Sequence, residues 1–589
     1  MLPEPLNRPA PTAAAEAAHH ALHTLLNCYL REVAGPAGHA QVAPSASGDR
    51  LSLRLPHAGA EVQVPLARTS LTGNHRYGAP AKVRPGEGPW QPLDWATFAR
   101  LVIRDLEART GTANGELLGQ IRQSVQLTEA ALAQPPAPEP AAGPLDTYRR
   151  SEQALKLGHR FHPAPKSRSW SSEPGVWTAY APELGARFPL HYFAAPRELV
   201  VQDSLLPQSA AELVRPASVA DDGLVIPVHP AQARWLLGRP QVRAALAAGQ
   251  LRDLGTFGPE FSPTASVRTL MHPDLPWFYK CSLNVRITNC VRKNATYELE
   301  GALHLSRVWQ QAEPEFTALF PHTRVLLEPA WLSLRLGDTP AQQQETTEGF
   351  GLILREQLGA HLAPGVTPVL AGALFGNPHW GPLGALQEAV RQTGLPLRET
   401  ALEWFAAYLD LLVPPVLHAL FARGVVFEPH LQNVVVGLRG GWPVQLFLRD
   451  LEGTKLVPGA APAGWFEGPG GRAREAMTYS AAQGWQRVAY CLLVNHLCEA
   501  VAELGALVPE AELWAALGTA LRRYQRQHGT LASAGRIGDL LGGAPWPVKT
   551  NLLTRFARQA DRESGYVSLP SPLVAPSSQV ARAASLVGA

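Results

Sequence analysis

Cysteine is scarce in this chain: five among 589 residues (Cys28, Cys281, Cys290, Cys491, Cys498), none spaced C-x-x-C. An odd count without that spacing argues against a disulfide framework or a zinc site and suits a reducing cytosol. Charge of one sign is also lacking. The net charge is +3 and evenly spread, too mild to imply a nucleic-acid partner. No run approaches the ~18 consecutive apolar residues of a membrane span. The opening MLPEPLNRPAPTAAAEAAHH lacks the basic start and apolar run of a secretory signal. The expectation is a cytoplasmic protein that engages neither membrane nor nucleic acid. Familiar catalytic signatures are missing as well: no GxxxxGK[ST], no GxGxxG after a strand, no GxSxG and no HExxH. GPGGR at 468–472 is glycine-rich but fits neither phosphate loop. Ser/His/Asp hydrolysis therefore has no anchor.

What is present is globular: 46% hydrophobic and 17% charged residues. The length predicts two to four domains. The Pro/Ala-rich QPPAPEPAAGP, 134–144, reads as a linker closing an N-terminal domain, 1–145. A second domain is placed at 146–380, a third at 381–565, and 566–589 is expected to be a frayed tail. Helical spacing marks 15–33 and 93–132, and LSLRL (51–55) with AEVQVPL (60–66) reads as a hairpin. The segment 401–424 is helical in pattern, with Pro414-Pro415 expected to kink or split it. VVF, EPHLQN, VVVGL, a GG turn and VQLFLRD form a strand, loop, strand, strand unit.

Three constellations carry chemistry. GHRFHPAPKSR, 158–168, is a stiff basic turn in which Lys166 and Arg168 suit phosphate and no carboxylate or cysteine completes a metal set; a loop with solvated charges reads equally well. PTASVRT, 263–269, places hydroxyls beside Arg268 and is followed by the alternating strand KCSLNVRIT, 280–288. Arg268, Lys280, Arg286 and Arg292 have only Asp274 between them as an acid, which points to a polyanion, so that Arg268 should meet ligand phosphate rather than protein. A straight strand would hold Lys280 and Thr288 ~26 Å apart, at ~3.3 Å per residue, too far to grip one small group. The third pairs Asn433 of EPHLQN with Asp450 of RDLEG. Kinase-type enzymes take an Asn from a turn and an Asp from the next strand end to hold magnesium against phosphates. The competing reading is an Asn turn former and an Asp cap.

Taken together and in order, GHRFHPAPKSR, PTASVRT, KCSLNVRITNCVRKN and EPHLQN with RDLEG resemble the signature set of the NRPS-independent siderophore synthetases, the aerobactin-synthetase (IucA/IucC) family. The motifs run from residue 158 to 453. The resemblance implies a multi-domain α+β fold, a cupped hand of thumb, fingers and palm with the palm distantly kinase-like. It implies an ATP-dependent ligase that adenylates a carboxylate of citrate or a related acid, releases pyrophosphate, then joins an amine or alcohol and expels AMP. Matched residue by residue, His159, Lys166, Ser266, Arg268, Thr269, Lys280 and Arg292 fall on the ATP and phosphate positions. Thr288, Arg292 and His430 fall around the carboxylate, and Asn433, Asp450 and Glu428 on the Mg2+ side. No residue is assigned as a catalytic base. Homodimers are usual in the family. Arg160, Ala265 and Pro429 stand where the family often has Pro, Ser and Ala. A kinase-like phosphotransferase making ADP, and a nucleotide-binding scaffold without turnover, are the other readings.

Overall fold

The computed structural model describes residues 11–45, 48–135, 140–169, 176–219, 223–287, 290–377, 380–560 and 563–574. Helices and mainly antiparallel sheets alternate in the α+β manner expected. Three principal apolar cores support them.

The first core joins the helix Ala13–Tyr29 to a six-stranded sheet that contains the expected hairpin, Gly48–Leu55 against Ala60–Arg68. Strand alternation puts Leu51, Leu53, Leu55, Val62 and Val64 on the buried face. Leu552 and Phe556, almost at the other end of the chain, pack into this same core. The second core lies under an eight-stranded sheet in which Thr269–Met271, Trp277–Cys281, Leu352–Glu356 and Ala330–Leu334 are consecutive neighbours. The third surrounds a four-stranded sheet and its helices. There Val434–Arg439 and Trp442–Leu448 form the expected hairpin across Gly440-Gly441, with Val434 opposite Leu448.

Three expectations need correction. The segment 280–288 is not one strand: Trp277–Cys281 belongs to the eight-stranded sheet, whereas Leu283–Ile287 pairs with Cys290–Arg292 and Arg168–Ser169. The chain changes sheets at Ser282, whose hydroxyl donates to Glu348 O and whose N–H donates to Gly351 O. The ~26 Å separation of a straight strand therefore does not apply.

The helix Leu397–Arg423 is not split at Pro414 and Pro415 but continues through them. Pro415 has no N–H for the Leu411 carbonyl, and the Thr323 hydroxyl donates to that carbonyl instead, at 3.1 Å. Among the described residues this is the one helix long and apolar enough to cross a membrane, but most of that stretch is buried. Thr323 is itself buried. Thr323→Val should cost about 1–2 kcal/mol in urea unfolding by orphaning the Leu411 carbonyl; an unchanged midpoint would mean the helix tolerates the prolines unaided.

Finally, the expected tail is partly ordered: Tyr566–Leu569 pairs with Trp546–Lys549, and Leu569 is buried.

Candidate active site

Thr269 lies directly opposite Lys280 in the ladder between Thr269–Met271 and Trp277–Cys281. Arg268 precedes that first strand in a tight turn: Val267 N–H donates to Thr264 O at 2.8 Å, and Thr264 N–H donates to Thr269 O at 2.8 Å. The turn holds Val267 at φ +71°. A β-branched residue in the left-handed region is strained by ~1–3 kcal/mol, a cost borne typically at functional sites. Ser266 Oγ accepts the Thr269 N–H at 3.2 Å and lies 3.1 Å from Thr264 Oγ1.

Asp450 closes the other side. It follows the strand Trp442–Leu448, where Arg449 N–H donates to Asn433 O at 3.1 Å, so the hairpin brings Asn433 alongside Arg449-Asp450. Asp450 also has a left-handed backbone, φ +83°, and although it precedes the short helical turn Leu451–Gly453 its side chain caps nothing. The capping alternative is thus removed. Its carboxylate turns instead to Lys280 Nζ (2.5 Å) and Arg355 Nη2 (2.8 Å).

Around these two residues lies a cluster of three cations and three carboxylates. Lys280 also meets Glu452 Oε2 at 2.7 Å and Glu328 Oε1 at 3.5 Å. Arg268 Nη2 meets Glu452 Oε2 at 2.7 Å, and Arg355 Nη2 meets Glu328 Oε1 at 2.6 Å. Arg268 Nη1 further donates to Asn294 Oδ1 at 2.5 Å and to Arg292 O at 3.2 Å. Two expectations fail here. Arg268 and Lys280 do have acids, supplied from distant segments, and Arg268 has protein partners in addition to any phosphate it meets. Burial alone would raise the Asp450 carboxyl; Lys280 and then Arg355 overcome it and hold that carboxyl well below the usual range. Glu452, likewise opposed by burial, is pulled down to about 2 by Arg268 and Lys280. Nearby Glu298 is pushed the other way, to about 7, by burial and then by the Glu452 charge. A second buried pair, Arg449 with Glu152 (2.5 Å), backs the cluster, and Glu152 Oε2 accepts the Ala265 N–H of the strained turn at 3.0 Å.

The donor set fits magnesium in a specific respect. Both cations on Asp450 use Oδ1, and both on Glu452 use Oε2. Asp450 Oδ2 and Glu452 Oε1 therefore have no protein donor among the described residues, which leaves oxygens of the kind Mg2+ takes. Among the described residues no group of three or more His, Cys, Asp or Glu side chains gathers for a metal. Mg2+ tolerates this, since it keeps water and substrate oxygens as its remaining ligands. Glu428 is the least suited of the three metal candidates, because Arg487 holds it at 3.2 Å.

His159 and His430 belong to a neighbouring region. His159 lines a small cavity with Arg31, Lys549, Glu32, Asn551 and Glu499. Gly158 before it has φ +81°, and a Cβ there would lie 2.9 Å from Pro165, so only glycine fits the turn. Burial, then Arg31, His430 and Lys549, push His159 down to about 4; its Nε2 is buried without a partner. It is thus a neutral imidazole. His430 is also lowered by burial, with Glu428 and Asp450 opposing. Its turn is fixed by His496, whose Nδ1 lies 2.8 Å from Pro429 O.

Lys166 is not part of the cluster; its partners are Leu155 O and Glu183, the latter also held by Arg168 at 2.6 Å. Arg292 sits opposite Leu283, its carbonyl taken by Arg268. Thr288 lies outside the described residues. Sequence reasoning missed Glu328, Arg355 and Asn294 in the cluster, and Arg31 and Lys549 in the cavity. Glu452 and Asn294 had a local signal, as members of RDLEG and of KCSLNVRITNCVRKN.

Residues 147–376 match the model of the IucA / IucC family, and 402–564 match that of the ferric iron reductase FhuF-like transporter. The rhizobactin siderophore biosynthesis protein RhbC of Rhizobium meliloti is 31% identical, over 94% of this chain and 97% of that protein. An L-2,3-diaminopropanoate–citrate ligase of Staphylococcus aureus is 29% identical over 73% of this chain and 75% of its own length. The solved structure of ATP-bound aerobactin synthetase IucA from Klebsiella pneumoniae superposes with a TM-score of 0.82 at 26% identity, covering 94% of this chain and 99% of that one. With the four motifs in order and near-complete coverage by such relatives, this chain belongs to the IucA / IucC family.

Proposed function

We propose that this chain is an ATP-dependent siderophore synthetase that adenylates a carboxylate of citrate, or of a citrate-like acid, and condenses it with an amine or alcohol. The observation that carries the reading is the Lys280–Asp450–Glu452–Arg268 cluster, its cations buried and its carboxylates half-buried, beside the left-handed backbone of Val267 and Asp450. It gathers cations and metal-suited oxygens in one place, which a merely structural ion network has no need to do.

A carboxylate attacking the α-phosphorus brings two anions together, and positive charge must offset their repulsion. Arg268 and Lys280 supply it, with Ser266 and Thr269 as hydroxyl donors to phosphate oxygens. Asp450 and Asn433 are the residues that would hold Mg2+, with Glu452 beside them. When bound, Mg2+ supplies further charge against the phosphates. Arg292, Thr288 and His430 orient the acid, and His159, matched by the resemblance to an ATP position, is read here on the acid side because the His430 charge is felt there. Pyrophosphate leaves, and the nucleophile then attacks the acyl carbon and expels AMP. An amine arriving neutral needs little base help, so positioning supplies much of the rate. We read the active species as a cytoplasmic homodimer.

The test is product analysis with ATP, Mg2+, citrate and hydroxylamine, against a no-citrate control. Citrate-dependent AMP, pyrophosphate and a citryl hydroxamate are expected. ADP instead would establish a phosphotransferase and overturn the reading. Turnover with a citryl monoamide but not citrate would keep the ligase and change its acid.

A further inference from the structure

The cavity beside His159 is walled by segments far apart in sequence, and one side chain joins them. Glu32 lies in a π-helical turn, Leu30–Ala34, that continues the first helix, and it is 4% exposed. Its Oε1 accepts the N–H groups of Asn551 (2.9 Å) and Leu552 (3.0 Å), and its Oε2 accepts that of Leu553 (2.9 Å). Asn551 in turn donates from Nδ2 to Phe161 O at 2.9 Å, in the loop that carries His159. The neighbouring Arg31 lies over the Phe161 ring, 3.2 Å from its centre. Lys549, two residues before this grip, ends the strand Trp546–Lys549 and lines the same cavity as His159, Arg31 and Glu32.

We infer that Glu32 is a positioning residue: by clamping the backbone of 551–553 it fixes Lys549 against the His159 cavity, where the acid substrate binds. This rests on the functional reading above for the identity of that substrate, but the clamp itself does not. A carboxylate is the one side chain suited to the task. Burial pushes the Glu32 carboxyl up to about 7, with the three N–H groups opposing; when ionised it is acceptor-only on both oxygens and can meet all three at once, whereas an amide would turn a donor toward one of them. The π turn supplies the register, since one wider helical turn redirects the side chains that follow it.

The full-length wild type, Glu32→Gln, Lys549→Ala and the double variant are compared by citrate-dependent AMP formation. Backbone amide exchange over 549–556 is read on the same proteins without substrate. Glu32→Gln should raise KM for the acid about tenfold while leaving KM for ATP unchanged, the size expected for hydrogen bonds to a charged group. The same substitution should add almost nothing in the Lys549→Ala background, because the two act on one contact. Amides 551–553 should exchange at least about tenfold faster in Glu32→Gln. Equal losses in both backgrounds, or a parallel rise in KM for ATP, would overturn the proposal. So would wild-type exchange rates in Glu32→Gln. If Glu32→Gln does not fold, Glu32→Asp, which keeps both oxygens on a shorter stem, carries the same comparison. If the wild type makes no AMP with any acid, it is the functional reading that fails, and exchange alone then decides for or against the clamp.

Discussion

Replacing Lys280 by methionine should abolish AMP formation and cost ~3–5 kcal/mol of stability in urea unfolding, the usual result of removing one partner from a buried ion cluster. Lys280 is 2% exposed and is the cation shared by Glu328, Asp450 and Glu452. Methionine fills most of its volume, so the loss would be electrostatic and not a packing defect. The pH dependence distinguishes the two. Asp450 and Glu452 have folded-state carboxyls below the ordinary range, Glu452 at about 2. The stability they contribute is therefore fully present above the unfolded carboxyl range, near pH 4, and is lost as pH falls through their folded values. Without Lys280 that contribution shrinks. The gap between variant and wild type should be widest near neutrality and narrow below about pH 4. A gap that is constant with pH would indicate a packing loss instead.

Asp450→Asn is the complementary experiment: activity should fall about 10- to 100-fold and the Mg2+ requirement should rise, as for residues on or beside a metal. The backbone makes asparagine the informative substitution. Asp450 sits at φ +83°, a region in which Asn and Asp are several-fold enriched over other non-glycine residues. The amide variant would keep the turn and most of the shape while removing the charge that Lys280 and Arg355 hold. Asp450→Ala would add backbone strain and confuse the two effects. Titrating Mg2+ in the AMP assay reads the outcome, and an unchanged Mg2+ dependence would remove Asp450 from the metal site.

Local pattern made much of this fold legible. The hairpin that carries Asn433 toward Asp450 follows from two apolar strands and a GG turn, and the hydroxyl-and-arginine turn at 263–269 was visible as residues that suit an anion. What sequence could not supply was partnership. Arg355 comes to Lys280 because Trp277–Cys281 pairs with Leu352–Glu356, placing Lys280 opposite Ile353 and Phe278 opposite Arg355, and Glu328 comes because Ala330–Leu334, which it precedes, pairs with the same strand Leu352–Glu356. No local rule encodes a pairing between strands so far apart along the chain. The break at Ser282 escaped for a related reason: the alternation of 280–288 continues through it, and only the hydrogen bonds to Glu348 and Gly351 show that the chain has changed sheets. That the prolines do not split the long helix was hidden in the opposite sense, because the hydroxyl that takes over the Leu411 carbonyl lies on another element.

The burial of Leu552 and Phe556 in the N-terminal core also sets an order of events during synthesis. A ribosome delivers the first helix and its sheet hundreds of residues before the two side chains that complete their packing. Until residue 556 emerges, the N-terminal unit must persist with part of its apolar face uncovered, the kind of surface that chaperones hold in large proteins. Closing the molecule is then one of its longest-range contacts, with the loop-closure cost that such contacts carry. Chains released before that point would carry the cation cluster's residues yet lack a finished N-terminal core, so full-length synthesis acts as a checkpoint on a competent enzyme.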